Sequence, residues 1–155
     1  MEQTKIRIAE RKDAPLIFSF IKDLAHYEKM ENEMVATVGD IEASIFDRKE
    51  AEVLLLEYQG NAIGFALFFH NYSTFLGKAG LYLEDLFVNP EYRGNGYGKM
   101  LFQRVVAIAK ERGAGRMEWT CLDWNKPSID FYHSQGAVPL DQWTTYRLSE
   151  EVLQK

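Results

Sequence analysis

The stretch LYLEDLFVNPEYRGNGYGKMLF, residues 81–102, restricts the fold more than any other part of the chain. Its first eight residues are apolar or aromatic except Glu84 and Asp85, and an Asn-Pro turn signal ends them, so we expect a buried strand. A glycine-rich segment follows at 93–98, and a helical pattern begins near Lys99. The first amides of a helix lack helical partners and lie at the positive end of its dipole. A glycine-rich loop leading into a helix therefore favours an anion such as pyrophosphate.

Two well-known phosphate loops differ from this one. The P-loop pattern requires Ser or Thr after Gly-Lys, whereas Met100 follows Gly98 and Lys99 here. The dinucleotide-binding pattern places its third glycine one residue later than Gly98. The segment instead resembles the acetyl-CoA loop of the GCN5-related N-acetyltransferase (GNAT) superfamily, Q/R-x-x-G-x-G/A, in which Arg93, Gly96 and Gly98 match. A glycine-rich turn without a ligand is the alternative interpretation.

Composition narrows the class of protein. With 155 residues, 46% hydrophobic and 26% charged, the chain is expected to form a single domain over residues 1–155. The net charge of −5, without a basic patch, argues against nucleic-acid binding and is compatible with a cationic substrate. Cys121 is the sole cysteine, which excludes an internal disulfide and favours a reducing cytoplasm. We expect neither a signal peptide nor a membrane span, and the scattered histidines predict no metal site.

Hydrophobic periodicity and turn residues predict alternating strands and helices. Strands are expected at 5–9, 53–58, 62–72, 81–88, 117–122, 137–140 and 143–148, and helices at about 13–28, 38–46, 97–112 and 126–135. Gly64 lies inside the second strand of a hairpin, where it predicts a bulge or a close backbone approach. The order predicts an α/β fold with a mixed sheet of six to seven strands, helices on both faces, and one parallel crossover between strands 81–88 and 117–122.

Glu84 is a candidate catalytic base, because it interrupts an apolar strand just before the loop. Acyl transfer from a thioester to an amine requires the free amine, whereas a primary amine with a pKa of about 10.4 is protonated at pH 7. A carboxylate in a cleft can accept that proton, through water if needed. Because strand neighbours face opposite ways, we assign this role to Glu84, with Asp85 buried, paired or facing the substrate. The alternative is that both acids are structural.

Tyr132 is a candidate catalytic acid. Asn125 is expected to cap a helix that has Pro127 in its first turn, which places Tyr132 two turns into that helix. From there, its phenol could donate a proton to a leaving sulfur. The alternative interpretation is that the ring packs in the core.

Further motifs make the resemblance more specific. Tyr27-Glu28, LYLEDLFV, YRGNGYG, WNKPSIDFY and Gly136-Ala137 together resemble the spermidine/spermine (diamine) acetyltransferase branch and its thialysine-acetylating relatives, almost from end to end. The resemblance implies the acyl-CoA N-acyltransferase fold, with a sheet splayed between strands 81–88 and 117–122 and acetyl-CoA as co-substrate in the splay. It also implies a homodimer with the C-terminal strands as contacts.

The same resemblance implies roles for individual residues. Tyr132 corresponds to the catalytic acid, and Glu84 corresponds to the base acting through water. The residues implied to bind acetyl-CoA are Leu86, Phe87, Val88, Arg93, Gly94, Asn95, Gly96, Tyr97, Gly98 and Lys99, followed by Asn125, Lys126, Pro127, Ser128 and Tyr132. The residues implied to bind the amine are Tyr27, Glu28, Glu84, Asp85, Glu118, Trp119 and Thr120.

One departure from the polyamine-specific members bears on the substrate. Those members carry an acid followed two residues later by Trp before the 81–88 strand, whereas this chain has Ser73 and Phe75. The thialysine-type relatives also carry Ser at the first position. The resemblance therefore favours a diamine, thialysine or a related amino acid over long polyamines. A protein or peptide acetyltransferase and a non-catalytic acyl-CoA sensor are the competing functions.

Overall fold

The computed structural model describes residues 3–155, which form two compact units that divide after Thr120. The first unit contains the strands β1 (Thr4–Ile8), β2 (Glu52–Tyr58), β3 (Asn61–Ser73), β4 (Lys78–Val88) and β5 (Met117–Glu118), and the helices α1 (Ala14–Tyr27), α2 (Val38–Glu42) and α3 (Tyr97–Glu111). The second unit contains the helices α4 (Lys126–Ser134) and α5 (Glu150–Leu153). None of the helices within residues 3–155 is long and apolar enough to cross a bilayer.

The first unit is built on one mixed sheet. Its five strands lie in the order β1-β2-β3-β4-β5. The first four pair antiparallel, whereas β5 pairs parallel with β4. The chain passes through α3 between β4 and β5, as a parallel connection requires a crossover. The predicted mixed sheet and its crossover are therefore confirmed.

Side chains on both faces of the central strands are buried. Leu55 of β2 and Phe20 of α1 belong to one apolar cluster, together with residues of α2. Leu54 and Leu56 are also buried, and the two-residue period of a strand places them on the opposite face. Helix α3, which follows β4 in the chain, buries residues such as Val105 and contacts β3 and β4. Helices therefore pack on both faces of the sheet, and this packing fixes the orientation of the strand ends.

A bulge and a close backbone approach occur together near Gly64. Ile63 is an extra residue in the pairing of β3 with β2, because the register shifts by one at this point. A Cβ at residue 64 would lie 2.6 Å from the carbonyl oxygen of Phe87, so the neighbouring backbone requires glycine there. The prediction for Gly64 is confirmed.

A second bulge lies in β4. Leu67 of β3 pairs with Asp85, and the next residue, Phe68, pairs with Leu83, so Glu84 is an extra residue without a partner of its own. Regular alternation of side chains therefore fails at this position. The expectation that Glu84 and Asp85 face opposite ways assumed a regular strand, so at this bulge it stays a prediction.

The predicted number of strands was too high: the sheet has five, not six to seven. The strand expected at 117–122 ends at Glu118, and within the described second unit neither 137–140 nor 143–148 forms a strand. In that region large apolar side chains are exposed, including Trp143 at 78% and Tyr146 at 91%. Alternating apolar residues predict a strand only where a neighbour supplies hydrogen bonds, and the sequence pattern does not identify that neighbour.

Candidate active site

The glycine-rich loop forms the start of α3. Gly96 caps the helix with φ +82°, a left-handed conformation that favours glycine. The first helical hydrogen bond runs from the amide of Met100 to the carbonyl oxygen of Gly96. The amides of Tyr97, Gly98 and Lys99 consequently precede the helical ladder and point out of the helix end. This geometry suits an anion such as a pyrophosphate.

Aromatic packing and one side-chain amide hold the loop in place. The rings of Tyr92 and Tyr97, which flank the loop, lie 5.9 and 5.8 Å from the ring of Tyr58 at the end of β2. Asn95 donates from Nδ2 to the carbonyl oxygens of Tyr92, at 3.0 Å, and Arg93, at 3.3 Å. These contacts hold the loop in shape before a ligand arrives, so the loop loses less conformational entropy when an anion binds.

Arg93 makes contacts that reach beyond the loop. Its Nε donates to the carbonyl oxygen of Val88 at 2.9 Å. Its guanidinium carbon lies 4.5 Å from the ring centroid of Tyr27 and 5.3 Å from that of Phe87. Arg93 thus joins the loop, the end of β4 and the end of α1.

The edge of β4 beyond Tyr82 lies outside the ladder with β5. That ladder joins only Leu81 to Met117 and Tyr82 to Glu118, whereas β4 continues to Val88. On its other edge, the same strand pairs with β3 up to Val88. The main chain of residues 86–88, predicted to bind the cofactor, therefore lies on a strand edge that β5 does not cover.

Three carboxylates form an electrostatically coupled group, the Glu84 cluster, which consists of Glu28, Glu84 and Asp85. Burial, with the charges of Glu84 and Glu28, raises the pKa of Asp85 from 3.8 to about 7. Burial and the charge of Glu84 likewise raise the pKa of Glu28. Glu84 itself is exposed. Among residues 3–120, no Lys or Arg forms an ion pair with the three carboxylates.

The residues predicted at 118–120 have other contacts. Glu118 forms an ion pair with Arg116 and accepts a hydrogen bond from Asn71 Nδ2, both at 3.2 Å. The ring of Trp119 lies edge-on to Phe102, with 5.3 Å between centroids. Thr120 is exposed. A paired Glu118 is less suited to holding a substrate ammonium than the acids of the Glu84 cluster, which lack such a partner.

In the second unit, the predicted helix cap is present. Asn125 is 7% exposed, and its side chain accepts from the amide of Ser128 at 3.4 Å, with Pro127 in the first turn of α4. Lys126 forms an ion pair with Asp130 at 3.1 Å. Tyr132 is half-buried, and its ring centroid lies 5.6 Å from that of Phe131. The local fold therefore supplies the helix on which the candidate acid was predicted.

Ser73, at the end of β3, has a structural role. It is 3% exposed, and its Oγ accepts from the amide of Leu76 at 3.2 Å, which closes the turn to β4. Phe75 at the tip of this turn is 99% exposed. The position that carries an acid in polyamine-specific relatives is thus committed here to a turn.

Sequence reasoning missed the contacts of Arg93. The stacking of Arg93 on Tyr27 joins residues far apart in sequence, and no local pattern signals it. The electrostatic coupling of Glu28 to Glu84 likewise joins α1 to β4, and only the family resemblance assigned both acids to the amine. The tyrosines that flank the loop were a visible signal, since Tyr92 and Tyr97 bracket RGNG symmetrically.

Comparisons with known proteins identify the family. The family model described as "Acetyltransferase (GNAT) family" matches residues 18–137. The chain belongs to this family. GNAT acetyltransferases use acetyl-CoA as co-substrate, so the protein is an acetyl-CoA-dependent N-acetyltransferase. The helix-end amides and the left-handed Gly96 fit the pyrophosphate of that co-substrate.

Individual relatives are similar over most of their length. The chain is 32% identical over 167 residues to thialysine N-epsilon-acetyltransferase of Sus scrofa, covering 100% of this chain and 98% of that protein. It is 29% identical over 197 residues to L-ornithine N5-acetyltransferase of Arabidopsis thaliana, covering 97% and 86%. A solved integron cassette protein of V. cholerae has the same fold, with a TM-score of 0.81 at 23% identity, covering 98% and 96%.

Proposed function

We propose that this enzyme acetylates a primary amine of a small cationic substrate such as thialysine, ornithine or a diamine. The observation that carries the proposal is the Glu84 cluster, in which three carboxylates lie together without a basic partner among residues 3–120. A cationic ligand would satisfy such a group, because an approaching positive charge favours the ionised carboxylates. The relatives that act on thialysine and ornithine support the same substrate class.

We propose that the proton of the substrate ammonium passes to Glu84, through water. The amine nitrogen then forms the new C–N bond with the acetyl carbonyl, and the C–S bond to the thiol breaks. Acetyl-CoA supplies the activated acetyl thioester and the leaving sulfur. Tyr132 donates its phenolic proton to that sulfur, and the second proton lost by the nitrogen returns through solvent to Tyr132, so the amide, the thiol and the phenol all end neutral. Exposure of Glu84 at a bulge supports its role, since bulges re-aim side chains next to active sites.

The remaining predicted residues keep their proposed roles. The loop at 93–99 and the main chain at 86–88 would hold acetyl-CoA. The family resemblance implies the same role for residues 125–128, at the start of α4. Tyr27, Glu28 and Asp85 would hold the amine. The family model spans residues 18–137 across both units, which supports one acetyltransferase domain over the whole chain.

We propose further that the protein is a cytoplasmic homodimer. Self-association is supported by the exposed large apolar side chains between residues 138 and 148, because such side chains are often covered at protein–protein contacts. Cys121 is the sole cysteine, so the chain forms no internal disulfide, which supports a reducing compartment. Light scattering coupled to size exclusion at several concentrations tests the dimer, and a concentration-independent monomer mass would contradict it.

A panel of amines tests the substrate class. Thiol release is measured with thialysine, ornithine, 1,4-diaminobutane, spermidine, spermine and a lysine-containing peptide, at matched concentrations. We expect the short amines to have higher kcat/KM than spermine. Preference for the peptide would assign a protein acetyltransferase. Acetyl-CoA binding in calorimetry without thiol release on any amine would assign a sensor.

A further inference from the structure

The contacts of Arg93 connect the two sides of the candidate site. Its Nε binds the carbonyl oxygen of Val88, at the end of β4, and its guanidinium stacks on the ring of Tyr27, the last residue of α1. Arg93 also begins the glycine-rich segment, three residues before the helix cap Gly96. Arg93, which belongs to the loop assigned to acetyl-CoA, therefore contacts the helix end assigned to the amine.

The end of α1 is held by backbone hydrogen bonds and by the packing of Tyr27 against the apolar cluster, and Arg93 adds a contact from the glycine-rich loop. Lys29, with φ +60°, turns the chain away directly after Glu28, so the helix does not continue beyond this point. Tyr27 and Glu28 are adjacent, and the charge of Glu84 contributes to the raised pKa of Glu28. Any shift of the Tyr27 ring would consequently move Glu28 relative to the Glu84 cluster.

The stacking has the chemistry of a cation–π interaction. The centroid distance of 4.5 Å is within the range in which a guanidinium is attracted to an aromatic face. The planar guanidinium can stack on a ring while Nε donates in its own plane, which an ammonium cannot do. Only arginine can make both contacts at once, whereas the acetyl-CoA loop pattern also accepts glutamine at this position.

We propose that Arg93 is a positioning residue for the amine: it holds Tyr27, and through it Glu28, against the end of β4. The proposal rests on the assignment of the Glu84 cluster to the amine. It predicts that the loop and the amine-binding residues are coupled, so a substitution in the loop changes the amine KM. A residue that served only as an anion ligand would change acetyl-CoA affinity instead.

The experiment compares Arg93→Gln, Arg93→Lys, Tyr27→Leu and the double variant Arg93→Gln/Tyr27→Leu. We expect Arg93→Gln to raise the amine KM, measured at saturating acetyl-CoA, roughly fivefold, with kcat changed less and with a smaller change in the acetyl-CoA Kd from calorimetry, because the amides at the start of α3 remain. Arg93→Lys should not restore KM fully. In the Tyr27→Leu background, Arg93→Gln should have no further effect on KM. Arg104→Gln, on the exposed face of α3 beside Glu111, is the matched control and should leave KM unchanged.

Three outcomes would overturn the proposal. An unchanged amine KM in Arg93→Gln would remove the positioning role. A loss of acetyl-CoA affinity equal in both Tyr27 backgrounds would make Arg93 an anion ligand alone. A KM increase with ornithine but not with 1,4-diaminobutane would assign Arg93 to the substrate carboxylate.

A stability measurement separates this proposal from the proposed function. The thermal midpoints of the wild type, Arg93→Gln, Tyr27→Leu and the double variant form a double-mutant cycle that needs no substrate. We expect the combined shift of the double variant to be smaller than the sum of the single shifts, because the Arg93–Tyr27 contact is lost only once. If the shifts of the two single variants added up to the shift of the double variant, the contact between Arg93 and Tyr27 would contribute nothing, and the proposal would be overturned. If the cycle is coupled but the wild type acetylates no amine, the proposed function fails and the contact stands.

Discussion

Two groups of carboxylates in the first unit differ in one respect. In the Arg7 cluster, which consists of Arg7, Asp13 and Glu57, the guanidinium donates to Asp13 at 2.8 and 2.9 Å and to Glu57 at 2.9 Å. These hydrogen bonds lower the pKa of Asp13. In the Glu84 cluster no basic side chain among residues 3–120 is paired with the acids, and the pKa of Asp85 rises to about 7.

The difference shows what each group contributes. Arg7 supplies a fixed counter-charge, so the Arg7 cluster stabilises the junction of β1, β2 and α1. The Glu84 cluster is left with repulsion and desolvation, which favour an added proton or an added cation. A buried carboxylate with a fixed partner is a structural group, and one without a partner is suited to binding and proton transfer.

Breaking the Arg7 cluster should have the largest effect on stability. Arg7→Met removes the cation from Asp13, which is 7% exposed, and leaves an unpaired buried charge. We expect the free energy of unfolding in urea to fall by about 3 kcal/mol, with acetyl-CoA affinity unchanged. Arg11→Met, which removes an exposed ion pair with Asp47, is the control and should cost less than about 1 kcal/mol. Equal effects of the two variants would contradict the comparison.

Removing Glu84, the exposed acid of its cluster, should affect turnover more than stability. Glu84→Gln should lower kcat about 100-fold near pH 7, equivalent to about 2.7 kcal/mol, because the ammonium proton loses its acceptor. The defect should shrink at higher pH, where more amine is free. Rates across pH and urea unfolding are measured on the same protein. A defect of constant size at every pH would remove Glu84 as the base.

The two clusters should also have opposite pH dependence. The pKa of Asp85 is raised from 3.8 to about 7, so the folded state binds more protons between those values, and unfolding free energy falls as pH rises through them. Asp85→Asn should remove this loss and be about 2 kcal/mol more stable than wild type at pH 8. Asp13, with its lowered pKa, stabilises the fold above about pH 4 and loses that contribution as pH falls. If wild type and Asp85→Asn had equal unfolding free energies at pH 5 and again at pH 8, the raised pKa of Asp85 would be refuted.

Adding a carboxylate elsewhere should have the smallest effect. Ser73→Asp restores the acid of the polyamine-specific relatives, and the new carboxylate could accept from the amide of Leu76 as the hydroxyl does. Preference for spermine over thialysine should rise by about 1 kcal/mol or less, because position 73 is 3% exposed and the amide of Leu76 already engages the carboxylate, so little of its charge is offered to a substrate ammonium. The ratio of kcat/KM values measures the change, and a wild type that already prefers spermine would overturn the substrate class.

The sequence predicted the elements that depend on local signals. The start of α1 after Asp13, the hairpin around Gly60, the crossover through α3 and the Asn125 cap all have residue patterns of their own. Features that depend on a distant partner were not predictable in this way. Residues 137–148 alternate as strands do, but no neighbour pairs with them among residues 121–155.

The same distinction applies to the candidate site. The loop at 93–99 was evident because its glycines and its helix are contiguous. The Glu84 cluster joins α1 to β4, and only the family resemblance placed Tyr27 and Glu28 there. The bulge at Glu84 depends on the register between β3 and β4, which the sequence of β4 alone does not encode.

The bulge also has a consequence for chain length. Leu67 pairs with Asp85 and Phe68 with Leu83, so a chain lacking residue 84 would keep every pair between β3 and β4. The ladder therefore has no need of Glu84, whereas deletion of Leu83 or Asp85 would draw Glu84 into a regular pair with β3 and remove the bulge. Glu84 is in effect an insertion that the sheet tolerates, and at such a position a reactive side chain can be gained or lost without rebuilding the strand.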